Sequence, residues 1–396
     1  MANVAAPRPL LALLSLASLL SPFGMIVVVP TLAEVASYYH VGHGQAQYLI
    51  ASYLFGLGVG QPMAGALSDR IGRRPVMLAG FSLFTLASLG CMLSQDFVVL
   101  ILMRVLQALG VSVGTVGSRA IVRDTHDALG AVQALAWIGA AMGVAPVLGP
   151  AIGGLLGAWA GPPAVFAASA VLGFGVTMAL GTRLEETRVP SALTAPAGTG
   201  WTGNYRALLA SRVFMGYTLM YAFTQGCFFA FLAVGAIVFQ EHLGLDQRAF
   251  GIVWGTMGTL YIGGAALGGR LATGAGLMPV LRWTTLASAG GGSALALATS
   301  VFGVTLPGLL LPLAVMMLAA GVQAPLAAAG TVNHRPDIAG TASGLSGSLA
   351  LVVSGSFSII SGEVYVGSFS PVAWLIAASA AATTAAWWMA RSATAA

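Results

Sequence analysis

The chain has no lysine; all 16 of its basic residues are arginine. Charge of either sign is scarce. Only 7% of 396 residues are Asp, Glu or Arg, against about 25% in a soluble domain. So few charges cannot cover a soluble globule of this length, which excludes a soluble enzyme. The net charge of +5 is too small and too scattered for a nucleic-acid binder. With 58% hydrophobic residues, the chain is not disordered either. Cysteine is nearly absent: Cys91 and Cys227 each fall in an apolar run and read as small buried side chains. No phosphate-binding glycine loop is present, which argues against ATP as the direct energy source. There is no Ser/His/Asp set, and Gly344-Leu345-Ser346-Gly347 falls short of a nucleophile elbow. His40 and His43 have metal-like spacing but lack a third ligand, and read as solvated loop residues.

What the chain does have is apolar length. A helix crossing the hydrocarbon core needs about 20 apolar residues. Twelve such runs lie near 10–30, 46–66, 76–94, 97–117, 131–156, 163–182, 208–235, 249–268, 283–300, 306–328, 341–362 and 371–390. The first is too long for a signal peptide and is expected to stay as an anchor. Twelve spans put both termini on one side. Fourteen of the sixteen arginines then fall on that side, Arg248 falls opposite and Arg104 lies inside a span. The asymmetry predicts cytoplasmic termini. Abundant Arg, Gly and Ala, all with GC-rich codons, point to a bacterial genome and so to the cytoplasmic (inner) membrane. The longest cytoplasmic link, 183–207, contains Pro190, Pro196 and Gly198 and no sustained apolar run. It divides the chain into an N-terminal bundle, 1–182, and a C-terminal bundle, 208–396. An offset of 201 residues places Asp69 on Arg270, a degenerate internal repeat.

Three segments carry chemistry. The first is Gly65-Ala66-Leu67-Ser68-Asp69-Arg70-Ile71-Gly72-Arg73-Arg74-Pro75, between spans 2 and 3. Gly65 would let a backbone approach closely, Gly72 would permit a tight turn, and Asp69 could accept from Arg70, Arg73 or a helix N-terminus. A carboxylate that pairs in one conformation and releases in another makes a latch; plain positive-inside anchoring accounts for the arginines but not for the glycine spacing. The second is Arg104, with Gln107 one turn on. A buried cation needs a partner or a wet cavity, although a side chain two turns from the outer end could also snorkel. The third is span 5, where Gly143, Gly149, Gly153 and Gly154 allow close helix contact and Pro146 and Pro150 would bend the helix. Tyr53, Gln61, Gln107, Tyr217, Tyr221, Gln225, Phe228, Phe229, Tyr261 and Gln323 are the aromatic and amide side chains inside spans, open either to cavity lining or to ordinary packing.

The loop of Asp69 resembles the signature loop of the major facilitator superfamily. Arg104-Val105-Leu106-Gln107-Ala108-Leu109-Gly110 resembles the superfamily's span-4 Arg motif. The Gly143–Gly154 segment resembles the antiporter motif of drug exporters. Ser118-Arg119-Ala120-Ile121-Val122-Arg123-Asp124 and Ala339-Gly340-Thr341-Ala342-Ser343 are similar to the Bcr/CflA-type drug-efflux branch. The resemblance implies an all-α membrane fold of twelve helices in two six-helix bundles, with proton coupling at Arg104. It also implies export of small, fairly apolar compounds, amphenicols among them, by proton antiport and alternating access. The family's acid in span 1 is missing: Ser21-Pro22-Phe23-Gly24-Met25 stands there. Glu34, Asp69 and Glu363 are left as candidate proton carriers, and neutral or anionic substrates gain over cations. The expected partners are a small-molecule substrate, protons and the bilayer, with no nucleic acid, no cofactor, no metal and a monomer. A metabolite transporter of the same fold and a non-transporting receptor remain as alternative readings.

Overall fold

The computed structural model describes residues 8–187, 201–245, 247–335 and 338–392. Regular structure among them is entirely helical. The first span is not one helix. α1 (Arg8–Ile26) gives way to a short 3₁₀ turn, Val29–Thr31, and then to α2 (Leu32–Tyr38). The break lies where Pro30 removes a backbone donor. The span therefore runs on to Tyr38 instead of stopping near residue 30. After α3 (His43–Ala46) come α4 (Tyr48–Ile71), α5 (Arg73–Leu93), α6 (Phe97–Thr125), α7 (Ala128–Ala160) and α8 (Pro162–Arg183). α9 (Trp201–Ala210) is a short helix that starts within the stretch 183–207 expected as linker and runs past its end; of that stretch 188–200 lie outside the described residues. Then follow α10 (Arg212–Leu243), α11 (Gln247–Ala275), α12 (Leu277–Phe302), α13 (Leu306–His334), α14 (Ala339–Val364) and α15 (Ser370–Ser392).

Among the described residues eleven stretches are long and apolar enough to cross a membrane. α4 has the length, 24 residues, but Ser52, Gln61, Ser68 and Asp69 make it less apolar. With it the spans number twelve. Most of the helices outrun the apolar segments that predict them by several residues, because polar ends such as Val122–Thr125 keep helical hydrogen bonds beyond the apolar stretch.

The chain forms two compact units. One comprises residues 1–42 and 52–194, the other residues 43–51 and 195–396. In the first, α5 packs on α6 and α8, and α1 packs on α7. In the second, α10 is the central helix, held by α14, α15 and α13. Large apolar side chains such as Leu93, Trp159, Trp283, Val301 and Trp388 are exposed. A surface of that kind belongs in lipid, where helix association relies on close packing of small residues and on internal hydrogen bonds.

The units echo each other locally. α5 and α12 each start after a glycine with positive φ, Gly72 at 114° and Gly276 at 83°. That pair is 204 residues apart, three more than the offset that pairs Asp69 with Arg270.

Candidate functional site

The break in the first span creates the need that Arg104 fills. The last four carbonyls of an α-helix have no partner within it. Gly24 is one of these in α1, and Arg104 Nη1 of α6 donates to its oxygen at 3.0 Å. The same nitrogen donates to Gln107 Oε1 at 2.6 Å, and Gln107 Nε2 donates to Ser88 Oγ on α5 at 2.7 Å. Tyr53 of α4 lays its ring under the guanidinium, 4.3 Å from centroid to carbon, and its hydroxyl donates to the Ser21 carbonyl at 3.0 Å. Phe166 of α8 stands 5.8 Å away. Arg104, Gln107 and Tyr53 are each fully buried. Arg104 therefore does not snorkel to an interface. Its charge faces the negative end of the α1 dipole and an aromatic face, both of which favour a cation. Gly24 is required here, because a Cβ would come within 2.8 Å of the Tyr53 hydroxyl. Tyr53 and Gln107, expected as cavity walls, are internal partners of Arg104.

The latch loop is assembled around Arg73. Its Nη1 donates to Asp69 Oδ1 at 2.5 Å and to Ser68 Oγ at 2.6 Å, and its Nε to Asp124 Oδ2 at 2.9 Å. Asp69 thus pairs with Arg73. α5 has no side-chain cap of its own. Glu186, beyond α8, supplies one: Oε1 accepts from the Arg73 amide at 2.8 Å and Oε2 from the Arg74 amide at 3.1 Å. An anion at a helix N-terminus is favoured by the exposed amides and the dipole. Gly72 is needed twice, for its positive φ and because a Cβ would strike the Glu186 carboxylate. Gly65 is not the point of close approach that its position suggests; a Cβ there would make ordinary contact with Val116 at 3.7 Å. Asp124 and Glu186 escaped the sequence reading as members of the latch, since they lie 51 and 113 residues from Arg73. Arg74 reaches the Gly181 carbonyl at 2.9 Å, and Arg70 is exposed.

The small-residue helix α7 runs as one helix of 33 residues through Pro146 and Pro150. Its glycines meet the break in the first span, inside the first unit. A Cβ on Gly149 would lie 3.1 Å from Ile26, and one on Gly153 would collide with the Val27 carbonyl. Gly157, not singled out from sequence, faces Thr31 and Glu34. Gly154 makes only ordinary contact with Pro30, and Gly143 is half-buried.

Of the carboxylates, Glu34 lies within the stretch Leu10–Tyr38 and is half-buried. Glu363 is exposed and accepts from the Tyr48 hydroxyl at 2.9 Å. Tyr217 is 7% exposed and belongs to a core cluster with Met220, Leu281 and Trp387; Tyr221 packs against it. These two side chains serve the core of the second unit. Gln61, Gln225 and Tyr261 are half-buried. Phe229 is buried edge-on against Phe228 at 5.1 Å. Gln323 donates to Thr224 at 2.6 Å. Among the expected cavity residues, Phe228 lines the pocket enclosed by α10, α12, α13 and α15.

The family model described as Major Facilitator Superfamily matches residues 14–359. Multidrug resistance protein D of Escherichia coli (strain K12) is 31% identical over 353 residues, 89% of this chain and 88% of that protein. The chloramphenicol resistance protein of Pseudomonas aeruginosa is 32% identical over 276 residues, 68% of this chain and 64% of the relative's length. Among solved structures, a D-xylose-proton symporter aligns over 96% of both chains with a TM-score of 0.77 and 17% identity, a likeness of fold.

Proposed function

Because this chain belongs to the Major Facilitator Superfamily, a family of membrane transporters, we propose that it exports small, fairly apolar compounds in exchange for protons. The names of its drug-resistance relatives support that direction and that class of cargo, amphenicols included. The observation that carries the reading is the buried Arg104 group. A cation held fully inside a membrane protein is costly and marks a functional site. It ties the broken end of the first span to α4, α5 and α6, so a change in its hydrogen bonds is felt by four helices of the first unit. In the proposed cycle the two units alternate access to a site at the membrane midplane, and Arg104, with Glu34 or Glu363, relays the proton. The chain works as a monomer, needs no cofactor and lies in the bacterial cytoplasmic membrane with both termini inside.

The test is transport in inverted membrane vesicles with an imposed pH gradient. Chloramphenicol added to wild-type vesicles dissipates the gradient, and Arg104→Ala abolishes the response while the protein stays in the membrane. Dissipation of equal size in the variant removes Arg104 from the mechanism. No proton movement with chloramphenicol or other neutral antibiotics overturns drug export.

One observation favours a second reading. Arg104 is balanced by a helix end and an aromatic ring, in a first span whose α1 carries no carboxylate. That balance suits a dedicated transporter of a neutral or anionic metabolite, which the same vesicles would reveal by proton flux with metabolites alone.

A further inference from the structure

At one end of the second unit, arginine and tryptophan converge on two neighbouring helices. α12 and α15 pack against each other, Gly292 meeting Ala377 and Ala380. At the end where α12 begins and α15 stops, Trp387 Nε1 donates to the Met278 carbonyl at 3.0 Å. Two guanidiniums gather at that level. Side chains of a helix lean toward its N-terminus. Arg282 therefore leans back along α12 toward Met278, and Arg391 leans back along α15 toward Trp387. Each guanidinium lies over an indole, Arg282 at 5.5 Å from the Trp283 ring centre and Arg391 at 5.4 Å from that of Trp387. The two also address one groove. Arg282 stands about five turns before Ser300, which accepts from Trp374 Nε1 of α15 at 3.1 Å. Arg391 stands about three turns after Ala380, which meets α12.

We propose that this edge of α12 and α15 binds the phosphate of an anionic phospholipid in the adjacent leaflet. The proposal stands apart from the export reading. Three observations carry it. The first is charge: the two helices bring two arginines to one level, and neither contains an acidic residue. A guanidinium presents paired N–H donors in one plane, which suits phosphate oxygens. The second is order. Each guanidinium rests on an indole, so less side-chain freedom is lost when an anion arrives. The third is place. Trp283 is 67% exposed and Trp388 65% exposed, each at the end of an apolar span. Tryptophan so placed marks the headgroup level of a bilayer. A free phosphate would meet the same arginines but leave both indoles uncovered, whereas the glycerol and upper acyl chains of a lipid lie against them. The first unit treats the equivalent edge differently. There Glu186, beyond α8, supplies the anion, at the start of α5.

Native mass spectrometry of the full-length protein in mild detergent tests this. The probes are dioleoyl phosphatidylglycerol and, with the same chains, dioleoyl phosphatidylcholine. The first lipid to bind wild type is expected to be phosphatidylglycerol, about tenfold more tightly than phosphatidylcholine. Arg282→Gln and Arg391→Gln should each weaken that binding about fivefold, roughly 1 kcal/mol, and the double variant further. Arg119→Gln removes an exposed arginine of α6 in the first unit and should leave the binding unchanged. Arg282→Lys combined with Arg391→Lys keeps both charges but loses the planar donors, and should weaken binding about threefold. Excess inorganic phosphate should not displace the lipid. All variants must elute as monodisperse protein. Equal binding of the two lipids, or binding unchanged in both glutamine variants, overturns the proposal. So does an equal loss in Arg119→Gln, or full binding by the double-lysine variant, since either reduces the edge to plain positive charge. Displacement by inorganic phosphate overturns the lipid as occupant.

Discussion

Arg104 and Arg73 are both cations at helix ends, yet their surroundings set them different tasks. Arg73 is 13% exposed and shared by two carboxylates at the membrane edge, where water screens each pair. Arg104 is fully buried and depends on fixed geometry. Arg104→Lys keeps the charge but shortens the side chain and removes the planar guanidinium that lies over the Tyr53 ring. We expect it to lose proton-coupled flux about tenfold or more while the protein still inserts, as read by vesicle transport against membrane abundance. Glu186→Ala should expose two amides at the start of α5 and lower the melting temperature by roughly 2–4 °C, measured on purified protein. The first of these residues was visible in the sequence, because a lone arginine in an apolar run has few explanations. The second was not. Glu186 sits in a polar link among prolines and arginines, and only the fold brings it to Gly72.

At the scale of elements, the seam between α7 and the first span is governed by volume. Gly153 faces a backbone carbonyl that cannot move aside as a flexible side chain would. Gly153→Val should cost about 1–3 kcal/mol or prevent folding, read as loss of monodisperse protein on size exclusion. Gly154→Ala, one residue along, meets only ordinary contact with Pro30 and should be tolerated. The sequence shows six breakers and small residues in this helix without ranking them. It also suggests that Pro146 and Pro150 bend α7, which runs as one helix through both. A break does occur in the first span at Pro30, where an apolar run looked continuous. Apolar length reports the membrane, and it is silent about hydrogen bonds within it. That is why twelve spans were legible and the broken one was not.

For the whole molecule, the distribution of arginine predicts cytoplasmic termini. A green fluorescent protein fused after Ala396 should fold and fluoresce in cells, and an alkaline phosphatase fused there should be inactive. The opposite pair of results would place the termini outside and reverse the direction of every flux argued above. The repeat in the sequence is too degenerate to align the two units throughout, since offsets change from link to link. Helix starts, which only the fold defines, make the alignment.

The cap on α5 has a consequence for how the protein is made. The amides of Arg73 and Arg74 leave the ribosome more than a hundred residues ahead of the Glu186 carboxylate that receives them. Until then the turn at Gly72 has no anion against it. A nascent chain arrested short of residue 186 therefore leaves these two amides without their acceptor. The start of α5 is thus capped only after α8, the last span of its unit, has been made.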